Sequence, residues 1–435
     1  MNVPSMASIE KIIRINSVTE RSNEEIVRFL APELLRIGLK VREQKVVENG
    51  VTFKNIIALS HAPDAPDLLL LNTHLDTVPP GDTSAWTRTN GDPFCATQVK
   101  DRIYGLGSAD VKLDFLCKML AASQSKPWKQ PFALVGTFGE ERGCVGAKHL
   151  CEEGLVRPRF ALVGEPSNLE LIYAHKGHII GVVAFDLGVD NVRFMEAPKA
   201  LSWKGTAAHS STPHLGKNAI LQALSNVRKK NLGIVSLGGG TAFNIVPDAC
   251  DGLFSSSPTL ATARVLAFVE FLESLKRSLV QRKNSDFNPA TCTVSLNFAR
   301  TLSNGELQLM FDVRTLPETN AAEIQKRIVS GIRLVGGKLS SLSFDPPLKG
   351  DSSNLLLTAA ARALKDTGTK VVKKTKATST EAAIYNSFGV QAMVFGPGIS
   401  VGNVHRPNEY NSLKQMGIAT RFYTRLLSSP LRASV

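Results

Sequence analysis

The sequence predicts an α/β fold, a mixed and mostly parallel sheet flanked by helices, with an α+β unit inserted into it. Three observations carry this expectation. The run Leu68-Leu69-Leu70-Leu71, between Asp67 and Asn72, is too short for a core helix and reads as a strand buried on both faces. Phe132 to Val135 and Phe160 to Val163 repeat it, with helical patterns between, as βαβ units do. From about Gly177 the strands acquire a polar side, and Pro346-Pro347 marks the return to the first style. At 435 residues the chain exceeds one compact core, so residues 1–177 and 346–435 are expected to form one discontinuous domain around an insertion at 178–345.

Composition narrows the classes of function. Apolar residues make up 43% of the chain, and no apolar run approaches the ~20 residues that cross a bilayer. The polar stretch Met1 to Ser22 has no signal-peptide core, so a cytoplasmic protein with no membrane partner is expected. Cys95, Cys117, Cys144, Cys151, Cys250 and Cys292 form no CxxC pair and are expected as reduced thiols. A formal charge of +13 raises the question of nucleic acid, yet only Arg228-Lys229-Lys230 and Lys370 to Lys376 are dense, and neither carries a nucleic-acid motif. No nucleic-acid partner is expected. The net field favours anionic small substrates.

In chain order, Ile9 to Leu39 places Ile12, Ile13, Ile26, Phe29, Leu30, Leu34 and Leu35 at helical spacing and stops at Gly38, a C-terminal signal. Val41 to Val47 and Asn55 to Leu59 read as strands leading into the leucine strand. His74 stands just past the end of that strand, with Asp76 two residues on. In an open α/β sheet the crevice beyond the carboxyl ends of the strands is where ligands bind. His74 there suits a metal ligand whose second N–H is accepted by Asp76. Alone, it also reads as a turn histidine beside a solvated aspartate. Ile103 to Asp110 is a short strand and glycine turn that delivers Asp110 to a helix marked by Leu113, Leu116, Cys117, Leu120 and Ala121, where an aspartate can serve simply as an N-cap. The Phe132 strand ends in Glu140-Glu141 and the Phe160 strand in Glu165, each by itself an ordinary solvated glutamate.

The insertion shows strand patterns at Val182 to Phe185, Ser202 to Gly205, Gly233 to Gly239, Val294 to Arg300, Leu307 to Val313 and Lys338 to Phe344. Helical patterns occupy Asn218 to Lys230, Thr259 to Arg282 and Asn320 to Leu334. After it come helices at Ser353 to Lys365 and Thr380 to Phe388, a strand at Val390 to Phe395, the loop Gly396-Pro397-Gly398, then His405 and a closing helix from Ser412 to Leu427.

Collected together, His74, Asp110, Glu141, Glu165 and His405 are two imidazoles and three carboxylates at strand ends or helix starts of one sheet. That donor set suits two zinc ions sharing a bridging carboxylate, because two divalent cations balance three carboxylates and a hydroxide. Glu140, not needed as a ligand, is then free to act as general base on the shared water.

The segments HLDTVPPG, GSADVK, FGEERGCVGA, VGEPS, GTAAHSSTPHLGKNAI, GTAFNIVPD and FDVRTLPE, then FGPG followed by HRPNEY, occur in this order, and the resemblance they carry runs from about Ile9 to Leu427. They resemble the dizinc aminoacylase and exopeptidase family, which includes acetylornithine deacetylase, succinyl-diaminopimelate desuccinylase, carboxypeptidase G and aminoacylase. The resemblance implies a ferredoxin-like inserted lid that makes a homodimer. It implies His74 and Glu165 on one zinc, Glu141 and His405 on the other, and Asp110 between them, with cobalt or manganese as substitutes. Asp76 is implied behind His74, and Glu140 as base and later proton donor to the leaving amine. His209 is implied to reach a partner's site and stabilise the oxyanion, with Asn244 beside it and Arg314 receiving a substrate carboxylate. Without the resemblance His209 reads as a loop or cap histidine and Arg314 as a surface residue at a strand end.

Two departures stand out. Leu113-Asp114 occupies positions where the family has small glycines, and roughly 60 residues separate Asp248 from Phe311, too many for a simple connection. The family's cis peptide after the bridging aspartate is expected at Asp110-Val111. The function implied is a zinc amidohydrolase of N-acyl amino acids, most like acetylornithine deacetylase. A dipeptidase or carboxypeptidase using the same site is the alternative, and an inactive binding homologue a remote one.

Overall fold

A computed structural model describes residues 2–188, 197–241 and 244–431, so part of the GTAFNIVPD segment, 242–243, lies outside the described residues. The chain divides into two compact units. The first comprises Met1–Ala174, Leu348–Thr375 and Thr380–Val435, the second His175–Pro347 and Lys376–Ser379.

The first unit is built on an eight-stranded sheet with the spatial order Lys40–Glu48, Val51–Leu59, Phe132–Thr137, Leu69–His74, Phe160–Gly164, Gln391–Val394, Leu171–His175, Lys373–Lys376. The four consecutive strands from Phe132–Thr137 to Gln391–Val394 are parallel, so their carboxyl ends open on one edge. Every residue of Leu69–His74, Phe132–Thr137 and Phe160–Gly164 is buried. The period of two feeds two cores: Leu69, Leu71, Phe132, Leu134, Phe160 and Leu162 enter one, while Leu68, Leu70, Ala133, Val135, Ala161 and Val163 enter the other. Helices Met6–Arg14, Glu24–Ile37, Lys112–Gln124, Leu355–Lys365 and Leu413–Leu427 cover the first core. Val145–Glu153 and Ala382–Ser387 cover the second. This is the layered α/β arrangement that the continuous apolar runs predict.

The helical pattern from Ile9 to Leu39 is two helices, not one. Met6–Arg14 and Glu24–Ile37 are separated by an extended stretch in which Val18 bridges Thr77, the Thr77 amide donates to Ser17 O at 3.0 Å, and Asn23 exchanges hydrogen bonds with the Lys54 backbone at 2.7 and 2.8 Å. The polar run from Asn16 to Asn23 offers no apolar face to pack a helix, and the sheet takes its backbone groups instead. Gly38 closes the second helix in the left-handed region, at φ 94°.

The second unit holds a seven-stranded, wholly antiparallel sheet ordered Lys199–Lys204, Ala249–Ser255, Gly233–Gly239, Thr293–Thr301, Glu306–Thr315, Gly177–Asp186, Lys338–Asp345. The long stretch between Asp248 and Phe311 is no loop. It supplies two of these strands and the 20-residue helix Leu260–Leu279, whose Phe268 packs at 5.8 Å from the Phe185 ring and 5.7 Å from that of Phe311. No helix among the described residues is long and apolar enough to cross a membrane.

One buried side chain fixes the turn after the Phe132–Thr137 strand. Asn55, fully buried, donates to Gln44 Oε1 at 2.7 Å and Gly146 O at 2.8 Å and accepts from the Phe138 amide at 3.2 Å. Replacing it by alanine strands buried polar groups, each such loss costing about 1–3 kcal/mol. Asn55→Ala is expected to lower the unfolding free energy of the first unit by that order, seen as a lower urea midpoint. An unchanged urea midpoint would show that the turn is held by other means.

Candidate metal centre

The parallel strands deliver their side chains to one edge. His74 ends its strand. After Phe132–Thr137 the chain turns through Gly139, at φ 68°, into Glu140 and Glu141. Glu165 follows Phe160–Gly164, and the loop after Gln391–Val394 leads to His405. His405 itself sits at φ 59°, a left-handed conformation that residues other than glycine adopt at some cost. Asp110 comes from the turn before Lys112–Gln124, and its peptide to Val111 is cis, as the resemblance implies.

Asp110 is the hub. Its Oδ1 lies 3.1 Å from His74 Nε2 and its Oδ2 3.1 Å from His405 Nε2, so each oxygen faces a different imidazole. Glu141 Oε1 is 3.1 Å from His405 Nε2 yet makes no hydrogen bond although buried. Ligand atoms of Asp110, Glu141 and His405 all fall within 4.8 Å of one another, close enough to share one cation. His74, Asp110 and Glu165 are buried, while the His405 side chain keeps 35% exposure and leaves a way in.

The electrostatics are those of a site short of positive charge. Burial alone would depress the His74 imidazole, but its hydrogen bond to Asp110, the nearby Asp76 carboxylate and the charge of Glu140 hold it well above its ordinary value. Burial acts likewise on His405, and Glu141 and Asp110 override it, pushing the ring up to about 12. Asp110 shows the reverse: burial would raise its carboxyl, and the two histidines hold it far below the usual range. Glu140 is raised well above the usual carboxylate range by burial, with Glu165, Glu141 and Glu381 adding to the effect against His74. A field that draws protons onto two imidazoles also draws divalent cations, and the oxygen and imidazole donors fit zinc.

Asp76 meets His74 differently from the expected carboxylate contact. His74 Nδ1 lies 3.1 Å from the Asp76 main-chain oxygen, and the nearer carboxylate oxygen is 3.6 Å away. The carboxylate instead accepts the amides of Glu140 and Glu141, each at 3.2 Å. Asp76 thereby fixes the His74 tautomer, leaving Nε2 toward Asp110, and also anchors the Glu140-Glu141 turn.

The second unit contains His209, Asn244 and Arg314. His209 is exposed, pairs with Ile245 in an isolated bridge, and its Nδ1 accepts from the Ser211 amide at 3.1 Å. The Ser210 amide donates to Asn244 O at 2.8 Å, which brings the His209 and Asn244 loops together. Arg314 is not a surface residue. It is 3% exposed, 3.2 Å from Asp312 Oδ2, and its Nε is buried without a hydrogen bond. Asp312 also takes His178 at 2.6 Å and the Ser210 hydroxyl at 2.9 Å.

Two further acids escape sequence reasoning. Glu409 Oε1 accepts the amides of Ala109 and Asp110 at 2.7 and 3.0 Å, and burial with the Asp110 charge raises it to about 7. Glu381, raised to about 7 by burial, accepts from Thr137 at 2.9 Å and from Asn72, which also takes the Tyr385 hydroxyl at 2.8 Å. Glu409 lies within the HRPNEY segment, which is the only signal either acid leaves in the sequence.

The chain matches known proteins of one family. The profile of Peptidase family M20/M25/M40 matches residues 70–429. Acetylornithine deacetylase of Proteus mirabilis (strain HI4320) is 33% identical over 204 residues, and in that match the chain spans about half of the relative, 46% of each protein. Acetylornithine deacetylase of Salmonella heidelberg (strain SL476) is 26% identical over 416 residues, 94% of this chain and 89% of that one. Among solved structures, the M20 family metallo-carboxypeptidase Sso-CP2 from Sulfolobus solfataricus superposes with a TM-score of 0.66 at 15% identity, over 97% of this chain and 98% of that one. Aminoacylhistidine dipeptidase from Vibrio alginolyticus gives 0.66 at 17% identity, over 98% and 96%. At these identities the two structures speak for the fold alone. The family match, covering most of the chain, settles membership: the chain belongs to peptidase family M20/M25/M40, a family of hydrolases.

Proposed function

We propose that the chain is a cytoplasmic, metal-dependent amidohydrolase that cleaves the amide bond of an N-acyl amino acid, in the manner of acetylornithine deacetylase. The observation that carries this reading is the Asp110 carboxylate, with one oxygen turned to His74 and the other to His405, the posture of a ligand shared by two ions. His74 and Glu165 would hold one zinc, Glu141 and His405 the other, and Asp110 both, with cobalt or manganese as substitutes. The curated deacetylase relatives support the choice of an N-acyl amino acid over a dipeptide.

Bound there, zinc would supply Lewis acidity to the acyl carbonyl and to the attacking water. Glu140 takes a proton from that water and returns it to the leaving nitrogen. Burial and the neighbouring carboxylates raise its affinity for a proton, which suits a base, and cations held by those neighbours would offset the rise enough to leave it ionised before the reaction. Asp76 holds Glu140 in place through the backbone amide. His209 accepts the Ser211 amide at Nδ1, so the neutral ring carries its proton on Nε2 and can donate to an oxyanion. In this proposal that donor comes from a second copy of the chain, in a homodimer joined through the inserted unit. Asn244 assists it and Arg314 receives the substrate carboxylate.

The direct experiment is metal content of the purified protein with amine release from a panel of N-acetyl, N-succinyl and dipeptide substrates. Two ions per chain and one preferred N-acyl amino acid support the proposal, whereas turnover of dipeptides alone would move it to the peptidase alternative. Glu140→Gln is expected to keep both ions and lose at least about 10²–10⁴-fold in kcat. If an ion is lost as well, Glu140 is a ligand and the base lies elsewhere. For the shared site, His209→Ala and Glu140→Ala are each expected to be nearly inactive, and mixed heterodimers are expected to recover activity. Verified heterodimers without recovery would place a complete site within one chain.

A further inference from the structure

Asp114 stands four residues past Asp110, where the family resemblance leads one to expect a small glycine, and the proposed chemistry gives it no part. It is fully buried and pairs at 2.6 Å with Lys118, which is also fully buried. Lys118 Nζ donates further to the Asn72 carbonyl at 2.6 Å and the Thr73 hydroxyl at 2.8 Å, so its three hydrogens all have acceptors. Thr73 donates to Asp114 Oδ2 at 2.9 Å, and the Tyr423 hydroxyl donates to Oδ1 at 2.5 Å.

The placement of this network is specific. Asn72 and Thr73 immediately precede His74. Gly164 immediately precedes Glu165, and a Cβ built on it would come within 2.0 Å of Asp114 Oδ2 and 2.6 Å of Lys118 Nζ. Only glycine lets that strand end rest on the ion pair. Gly396, just past the Gln391–Val394 strand, lies against the other oxygen, with its Cβ position 3.3 Å from Oδ1. The pair therefore sits beneath three adjacent strand ends and touches the chain next to His74 and Glu165.

A buried ion pair is a poor device for stability, since apolar residues of the same volume often serve as well or better. What a fully satisfied network does supply is a single geometry. We propose that Asp114 and Lys118 are positioning residues that fix the His74 and Glu165 half of the metal centre. Glu141 and His405 belong to the other half. Glu141 is held through the Asp76 carboxylate and His405 lies in a loop well beyond Gly396, so that half does not depend on the ion pair. The inference rests on the two-metal reading above.

The test is zinc binding to metal-free protein, by competition with a chromophoric chelator, in the parent and in the double variant Asp114→Leu/Lys118→Met. The parent is expected to take up two ions. The double variant is expected to melt no lower than the parent, to bind one ion as before and to bind the second about 10–100-fold more weakly, the usual effect of losing an outer partner. Its kcat should fall at saturating substrate while KM stays near the parent's. Parental affinity for both ions would overturn the positioning role. A parent that binds no zinc would overturn the metal reading, and this inference with it. Should the double variant fail to fold, Tyr423→Phe removes one hydrogen bond from Asp114 without removing a charge. It is expected to weaken the same single ion by a smaller factor, and an unchanged second affinity would sink the idea.

Discussion

The structure depends on a crowding of acids. Four parallel strands end at one edge, and the chain places Asp110, Glu140, Glu141 and Glu165 beside two histidines there, largely out of water. Buried carboxylates that close repel one another, so something positive must stand among them. The two imidazoles answer part of that demand, each set against an oxygen of Asp110. Around them the protein spends fixed donors rather than mobile charge. Glu409 gathers the amides that present Asp110, and Asp76 gathers the amides that present Glu140 and Glu141. The candidate ligand groups are therefore oriented by the protein's own hydrogen bonds.

Much of this edge is legible in the sequence because parallel strands are simple objects. A run such as Leu68 to Leu71 or Phe160 to Val163 reads as a doubly buried strand, and the polar residues up to a few places past it come out at the carboxyl edge. His74, Glu140, Glu141 and Glu165 follow from that rule. The family resemblance adds what the rule does not carry, such as the cis peptide after Asp110. Helix boundaries near the amino terminus are less legible, because Asn16 to Asn23 is short and its fate was decided by strand partners at Lys54 and Thr77.

Other features leave no periodic trace. The helix Lys112–Gln124 is buried almost all round, so Asp114 and Lys118 look like a polar face in the sequence and are interior in the fold. Glu381 sits at the start of a six-residue helix, where an acid is ordinary, and only the tertiary fold reveals Asn72 and Thr137 reaching it. Arg314 reads as a strand-end surface residue for the same reason. Its burial comes from Asp312, two places earlier on the same face of the strand, and from His178 across the ladder. Pairs of this kind are made by strand register, which one sequence does not disclose.

The strand between Glu306 and Thr315 shows how the second unit divides its labour. Phe311 turns to the helices and is fully buried against Phe268, whereas Asp312 and Arg314 alternate between such core positions and gather His178 and Ser210 on a polar face. The extra strands and helix between residues 249 and 301 extend the sheet on the far side of that strand and thicken its apolar layer, and they set buried Thr293 and Ser295 across the ladder from Arg314 and Asp312. In the first unit His74 ends its strand and Glu141 and Glu165 follow closely on the ends of theirs, positions tied to the pairing of the sheet. In the second, candidate substrate contacts such as His209 and Asn244 lie in loops joined by an isolated bridge. Rigid strand ends suit the reaction common to a family, and loops suit the acyl group and side chain by which its members differ.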